Sequence, residues 1–224
     1  NNLLDPHRYP PHKQHLIVEL MEKFELCFAF EQRQRFLIPE LLPKEEPVLT
    51  WDKDNSLRFE YHYDVLPASV ISRFMVRLHE KIWNKTCWRT GVVLAMDNNQ
   101  AIVKADLEDK KVFIWVTGND RGKRALLAVI RSQFDHIHQS ISKIQVTEQV
   151  PYKHIVIPFQ NLLKLEQKSI RGHYYPELDE EVNVTELLAG IEEIRREDMK
   201  DIEERIFQKG MFVVQQFTQE EMEV

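Results

Sequence analysis

Residues 57–63 read "LRFEYHY". Leu57, Phe59, Tyr61 and Tyr63 fall on one side of an extended chain; Arg58, Glu60 and His62 fall on the other. That is the period-two pattern of a half-buried strand. Pro67 follows where a helix can open, because its missing N–H would lack a partner in a first turn anyway. Ile71, Phe74, Met75, Leu78 and Ile82 then recur at helical spacing. Strand-like runs at 89–96, 100–106 and 111–117 come next, joined by the turn-forming stretches "DNN" (97–99) and "LEDK" (107–110). Connections this short predict an antiparallel meander. A helix with Leu126, Ile130, Phe134, Ile137 and Ile141 on one face follows. "KIQVTEQV" (143–150) then reads as another strand, with Ile144, Val146 and Val150 in phase. The expected fold is α+β, a mainly antiparallel sheet flanked by helices.

Upstream, Ile17, Leu20, Met21, Phe24 and Phe28 predict one face of an amphipathic helix. "RFLIP" (35–39) reads as a short strand stopped by Pro39. "LLPKEEP", with Pro43 and Pro47 around a charged tip, suits neither a helix nor a central strand. It divides the chain into residues 1–47 and 48–224. Downstream, "FQNLLKLEQ" (159–167) predicts a short helix. A long amphipathic helix is expected from "NVTE", where Asn183 and Glu186 resemble a capping box. Its stripe is Leu187, Leu188, Ile191, Ile194, Ile202 and Ile206, and Gly210 can end it. Residues 177–205 hold twelve acids against four bases, a solvated face or a surface for a basic partner. "MFVVQQF" (211–217) reads as an edge strand or a tail.

The chain has 224 residues, a formal net charge of −6 and 29% charged residues. Such a balance gives no general attraction to nucleic acid or to an anionic membrane. No apolar run approaches the ~20 residues of a membrane-spanning helix. The start shows no charged head followed by an apolar stretch, so no secretory signal is expected. It also lacks an initiator Met, and the chain reads as a fragment of something longer. Cys27 and Cys87 have no metal spacing and make no disulfide framework; reduced thiols in the cytoplasm are the expectation.

Several motifs invite chemistry. "TGNDRGKRALLAVI" (117–130) has the strand, glycines, Lys and helix of a phosphate loop. Only Asn119, Asp120 and Arg121 separate Gly118 from Gly122, one residue too few. Arg124 follows Lys123 where a hydroxyl should ligate Mg²⁺, and Asp120 would bring a carboxylate to the phosphates. The stretch is therefore expected to be a basic connection between strand and helix. His136 and His138 lie about 200° apart around a helix and cannot share a metal face. His7, His12, His15 and His173 show no partner spacing. Ser69 and Ser72, near His79, lack the surroundings of a nucleophile elbow. Trp51, Trp83, Trp88 and Trp115 have flanks of mixed charge and suit core or interface anchors better than base-stacking platforms. No catalytic, cofactor-binding or metal-binding residue is assigned.

Six stretches in order resemble the COR domain of Roco proteins, COR standing for "C-terminal of Roc" and Roc being a Ras-like GTPase domain. They are "LMEKFELCF" (20–28), "FLIPELLP" (36–43), "FEYHYDVLP" (59–67), "ISRFMVRLHEKI" (71–82), "WRTGVVL" (88–94) and "LLAVIRSQFDHIH" (126–138). The likeness covers roughly residues 9–165, and "YYPELDEEVNVTELLAGI" (174–191) is similar to what often follows in prokaryotic members. The resemblance implies that residues 1–47 are the winged-helix-like end of COR-A, and that 48–224 are COR-B with a helical extension. It further implies a non-catalytic module that joins two chains through COR-B and docks on the Roc GTPase domain, linking dimer state to the GTP cycle in signalling. GTP and Mg²⁺ would sit on Roc, absent here; leucine-rich repeats, and in some members a kinase, lie elsewhere in such chains. Tyr63, Asp64, Val65 and Leu66 would face the GTPase domain, with Val65 and Leu66 as exposed apolar residues. The dimer interface is unassigned. A second reading, a winged-helix nucleic-acid-binding regulator, needs a basic recognition helix that "HKQHLIVELMEKFELCF" does not show; a hydrolase rests only on abundant acids and histidines.

Overall fold

The computed structural model describes residues 9–30, 35–51 and 56–189, together with His7 and Ile191. Helix α1 (Pro11–Lys23) is followed by a minimal hairpin of β1 (Phe28–Ala29) and β2 (Phe36–Leu37). The expected stripe holds only in part. Ile17 and Met21 are half-buried, but Leu20 and Phe24 face outward with Leu16. Phe28 lies in β1, because the helix stops before Glu25, which adopts a left-handed φ of 56°.

Seven strands form one antiparallel sheet in the order β4-β5-β6-β7-β3-β8-β9. They are β3 (Leu57–Tyr63), β4 (Ile82–Trp88), β5 (Gly91–Met96), β6 (Asn99–Asp106), β7 (Lys111–Thr117), β8 (Val146–Tyr152) and β9 (Ile155–Pro158). The expected meander is β5-β6-β7. Asp97 and Asn98 both take left-handed φ in its first turn, the two-residue geometry that matches strand twist. In the second turn Asp106 Oδ1 accepts the N–H groups of Glu108 and Asp109, each at 3.0 Å. Strand β3 inserts between β7 and β8, with Phe59 opposite Ile114 and Tyr61 opposite both Val112 and Glu148. Strands β4 and β9 were not expected. Ile82 opens β4 instead of closing a helix, because α2 (Ala68–Arg77) ends after Arg77.

Helices α2 and α3 (Asp120–Ser140) cover the face bearing Phe59, Tyr61 and Tyr63. Phe74 stacks on Phe134 at 4.4 Å between ring centres, and Phe134 meets Tyr61 at 4.9 Å. Helix α4 (Phe159–Gln167) has the bounds its sequence predicts and brings Phe159 against Phe59. Arg131, on the buried stripe of α3, lies over the Phe59 and Phe159 rings and pairs with Glu148 through both carboxylate oxygens. On the opposite face, the proline-bounded segment straps the sheet. Pro43 and Leu42 accept from Arg89, Glu46 pairs with Lys104, and Leu49 and Trp51 pack, with Trp115, on Trp88, Val93 and Ile102. Trp83 is exposed.

Beyond α4, β10 (Gly172–Tyr175) and β11 (Glu180–Asn183) form a separate hairpin that the sequence reading did not contain. Asn183 Oδ1 then accepts from Thr185 and Glu186 N–H and opens α5 (Val184–Ala189). The long helix to Gly210 and the stretch 211–217 lie outside the described residues, apart from this first part. The arrangement is α+β, as expected.

Candidate interaction surface

The turn after β3 is built to stay in place. Tyr63 N–H donates to Lys110 carbonyl at 3.0 Å, and Asp64 N–H donates to Gln145 carbonyl at 3.2 Å. Tyr63 is buried, and its hydroxyl lies 2.8 Å from His138 Nε2. Burial, with Asp135 nearby, holds that hydroxyl far above its ordinary pKa, so it keeps a proton to donate. Burial pushes His138 down to about 4, so its ring is neutral near pH 7 and can accept. On the far side, Pro67 caps α2 and its carbonyl receives Val70 N–H.

Four residues expected to act together therefore divide. Val65 is 69% exposed and Asp64 is exposed, whereas Tyr63 and Leu66 are 6% and 8% exposed. The expectation that Leu66 is exposed is corrected. It stands one place before the helix cap, with Ile71 at the matching position inside, where a hydrophobic staple pairs two residues; both are buried.

A second surface joins the N-terminal segment to the helices. Glu25 accepts from Arg73 Nε at 2.7 Å and from Arg77 Nη1. Arg77 also donates to Gln133, and Arg73 to Ser140, so α2, α3 and the loop after α1 share one network. Burial alone would raise the Glu25 carboxyl; the two guanidinium groups outweigh it and hold it below the ordinary value. Phe28 stacks on His79, and Ser72 donates to Glu40 at 3.3 Å. Leu16, Leu20, Phe24, Leu26 and Phe30 remain exposed around this piece. Sequence reasoning missed Glu25 and Arg131. The positions of Leu127, Ile130 and Phe134 put Arg131 on the buried stripe, which was a usable signal; nothing local marks Glu25.

The glycine loop is filled from within. Helix α3 starts at Asp120, so Gly122 and Lys123 lie in its first turn and not in a free connection. Asn119 caps that turn by accepting Gly122 N–H at 2.8 Å. Asn99, 1% exposed, accepts Asn119 N–H and donates to the Met96 and Asp97 carbonyls. A Cβ on Gly118 or Gly122 would fall 2.1 Å from the Asn99 carboxamide. The glycines make room for an asparagine. His136 is exposed and His138 faces Tyr63, and among the described residues no cluster of three His, Cys, Asp or Glu could hold a metal ion. Among them, too, no helix is long and apolar enough to cross a membrane.

Fold and surface define an α+β domain on a seven-stranded antiparallel sheet, with a rigid turn presenting one apolar side chain. The family model described as C-terminal of Roc, COR-B domain, matches residues 54–190, and the chain belongs to that family. It is 22% identical over 147 residues to a Roc-COR-CHAT protease of Runella zeae, covering 62% of this chain and 15% of that protein. It is 26% identical over 153 residues to a protein named "Probable serine/threonine-protein kinase pats1" of Dictyostelium discoideum, covering 60% of this chain and 5% of that protein. A Roc-COR-CHAT protease of an unknown prokaryotic organism is 20% identical over 151 residues, 14% of its length. The matched region is thus a small part of each of these relatives.

Proposed function

We propose that the chain is a non-catalytic dimerisation and coupling module of a Roco protein. Residues 1–47 are the end of COR-A and 48–224 are COR-B with its C-terminal extension. COR-B pairs two chains in the cytoplasm, and the turn after β3 docks on the parent's Roc GTPase domain, which carries GTP and Mg²⁺. Asp64 and Val65 make the contact; Tyr63 and Leu66 hold the turn beneath them. One observation carries this reading: in a COR-B domain, Val65 stands exposed on a turn pinned at Tyr63, Asp64 and Pro67. A held apolar side chain suits docking because little ordering entropy is left to lose on binding. Coupling then means that Roc in its two nucleotide states favours the two dimer states unequally.

Sedimentation velocity of the chain, alone and with the parent's Roc domain, tests both halves. Self-association rising with concentration is expected. Val65→Asp should weaken Roc binding by about tenfold or more, as for an apolar anchor, while leaving the unfolding midpoint unchanged. A strict monomer at high micromolar concentration overturns the pairing, and undiminished Roc binding by the variant overturns the docking turn.

A further inference from the structure

The sheet has two edges, and they differ. Edge β4 is spoiled for pairing: Asn84 and Lys85 take left-handed φ, and its register against β5 shifts between Ile82 and Cys87. Edge β9 is regular, pairing Tyr152 with Ile155, Pro151 with Val156 and Val150 with Ile157. Pro151 has no N–H to give, so its pair with Val156 is a non-hydrogen-bonded one. The N–H and carbonyl of Val156 therefore point away from β8, along the open edge. Val156 is 44% exposed.

A groove of about 430 Å³ runs beside that edge, between β9, α4 and the β10 hairpin. Lys164 and Leu165 on α4 and Lys168 at its C-cap line it, and Tyr175 contributes from β10. Among the described residues neither lysine is paired with a carboxylate. One acid, Glu177, lines it too; its carbonyl lies 3.1 Å from His154 Nε2, and Lys153 pairs with Glu180. These two contacts tie the hairpin turns together and hold the β10 hairpin to the β8–β9 turn.

We propose that this groove receives an extended acidic segment of a protein partner, which adds a strand to β9. Val156 supplies one donor and one acceptor to the added backbone, and Leu165 an apolar contact. Lys164 and Lys168 select carboxylates over ammonium groups. Pro158 ends the edge, so the added strand is short and its affinity modest. The surface is separate from the turn at Val65 and stands or falls independently of it.

Fluorescence anisotropy with the intact chain and a labelled acidic strand peptide, TVEVDE, is the test, beside the charge-reversed TVKVRK and the interrupted TVEPDE. Saturable binding of TVEVDE alone is expected. Lys164→Glu with Lys168→Glu should weaken it about tenfold or more, the loss of charge-assisted contacts. Val156→Pro should abolish it with circular dichroism unchanged, since an edge tolerates proline. Absence of saturation up to about 1 mM peptide, equal binding of TVEPDE, or binding indifferent to both variants overturns the proposal. So does sedimentation in which Val156→Pro dissolves a dimer that the peptide cannot compete with, because a second copy would then own the edge.

Discussion

Asn99 shows how a single side chain settles what a loop can hold. Its amide donates to two carbonyls of the Asp97–Asn98 turn and its oxygen accepts the Asn119 N–H. It thereby fixes the start of α3 to the β5–β6 hairpin from a site closed to water. Asn99→Ala leaves those backbone groups unpaired and should cost about 2–3 kcal/mol, the desolvation penalty of orphaned buried groups. Urea unfolding followed by circular dichroism measures this; a loss below about 0.5 kcal/mol, the range of an ordinary surface change, would mean the plug is not holding the helix start. Gly118 depends on the same plug. At φ 130° its backbone suits glycine alone, so the glycines that suggested a phosphate loop are needed by the fold itself.

At the level of elements, the tie between the N-terminal segment and the α2–α3 pair is electrostatic. Arg73 and Arg77 are one turn apart on α2 and converge on Glu25, whose left-handed backbone turns its carboxylate toward them. Glu25→Gln removes the charge at similar size, and should lower stability by roughly 1.5–3 kcal/mol, the worth of hydrogen bonds to charged groups. Hydrogen exchange should show earlier opening in α1 and β1 than in β5 or β6. Uniform exchange through both would show that the segment is held by packing instead. The elements also show where sequence reasoning stopped. Strand β4 was hidden because Asn84 and Lys85 break its alternation and Ile82 keeps helical phase with Leu78. Strand β9 and the β10–β11 hairpin are four residues each, too short for a periodic signal. Strands β3 and β7 and helix α4, longer or flanked by clear breakers, were legible to the residue.

For the molecule as a whole, the response to acid combines groups of opposite sign. His138 is pushed down to about 4, so the unfolded chain takes up its proton first; stability is full above the ordinary value near 6.5 and is lost as pH falls toward 4. Glu25, held below its ordinary value of 4.5, contributes stability above that value and loses it as pH falls through the folded value. Asp135 acts the other way. Partial burial, with Glu148 close by, raises its carboxyl to about 6, so acidification favours the folded form there; the part of the residue that solvent still reaches tempers the effect. The expected outcome is a difference measurement. Replacing His138 by Gln should cost stability at pH 7, and the gap to the unaltered chain should narrow steadily toward pH 5. A gap constant with pH would show that the ring titrates normally in the folded protein.

The candidate docking turn was legible only in part. Val65 and Asp64 could be singled out by resemblance, but the burial of Tyr63 and Leu66 depends on His138, 75 residues away from Tyr63, and on the way α2 seats its first turn. By itself the sequence determined the α+β class, the antiparallel meander, the buried side of β3 and the bounds of α4, because period and turn chemistry act between near neighbours. Only the tertiary structure decided that β3 lies between β7 and β8, that β9 is a usable edge, and that Asn99, Glu25 and Arg131 are ties between elements. Those outcomes rest on pairings between distant residues, and a polar side chain carries no local mark of the partner it will meet.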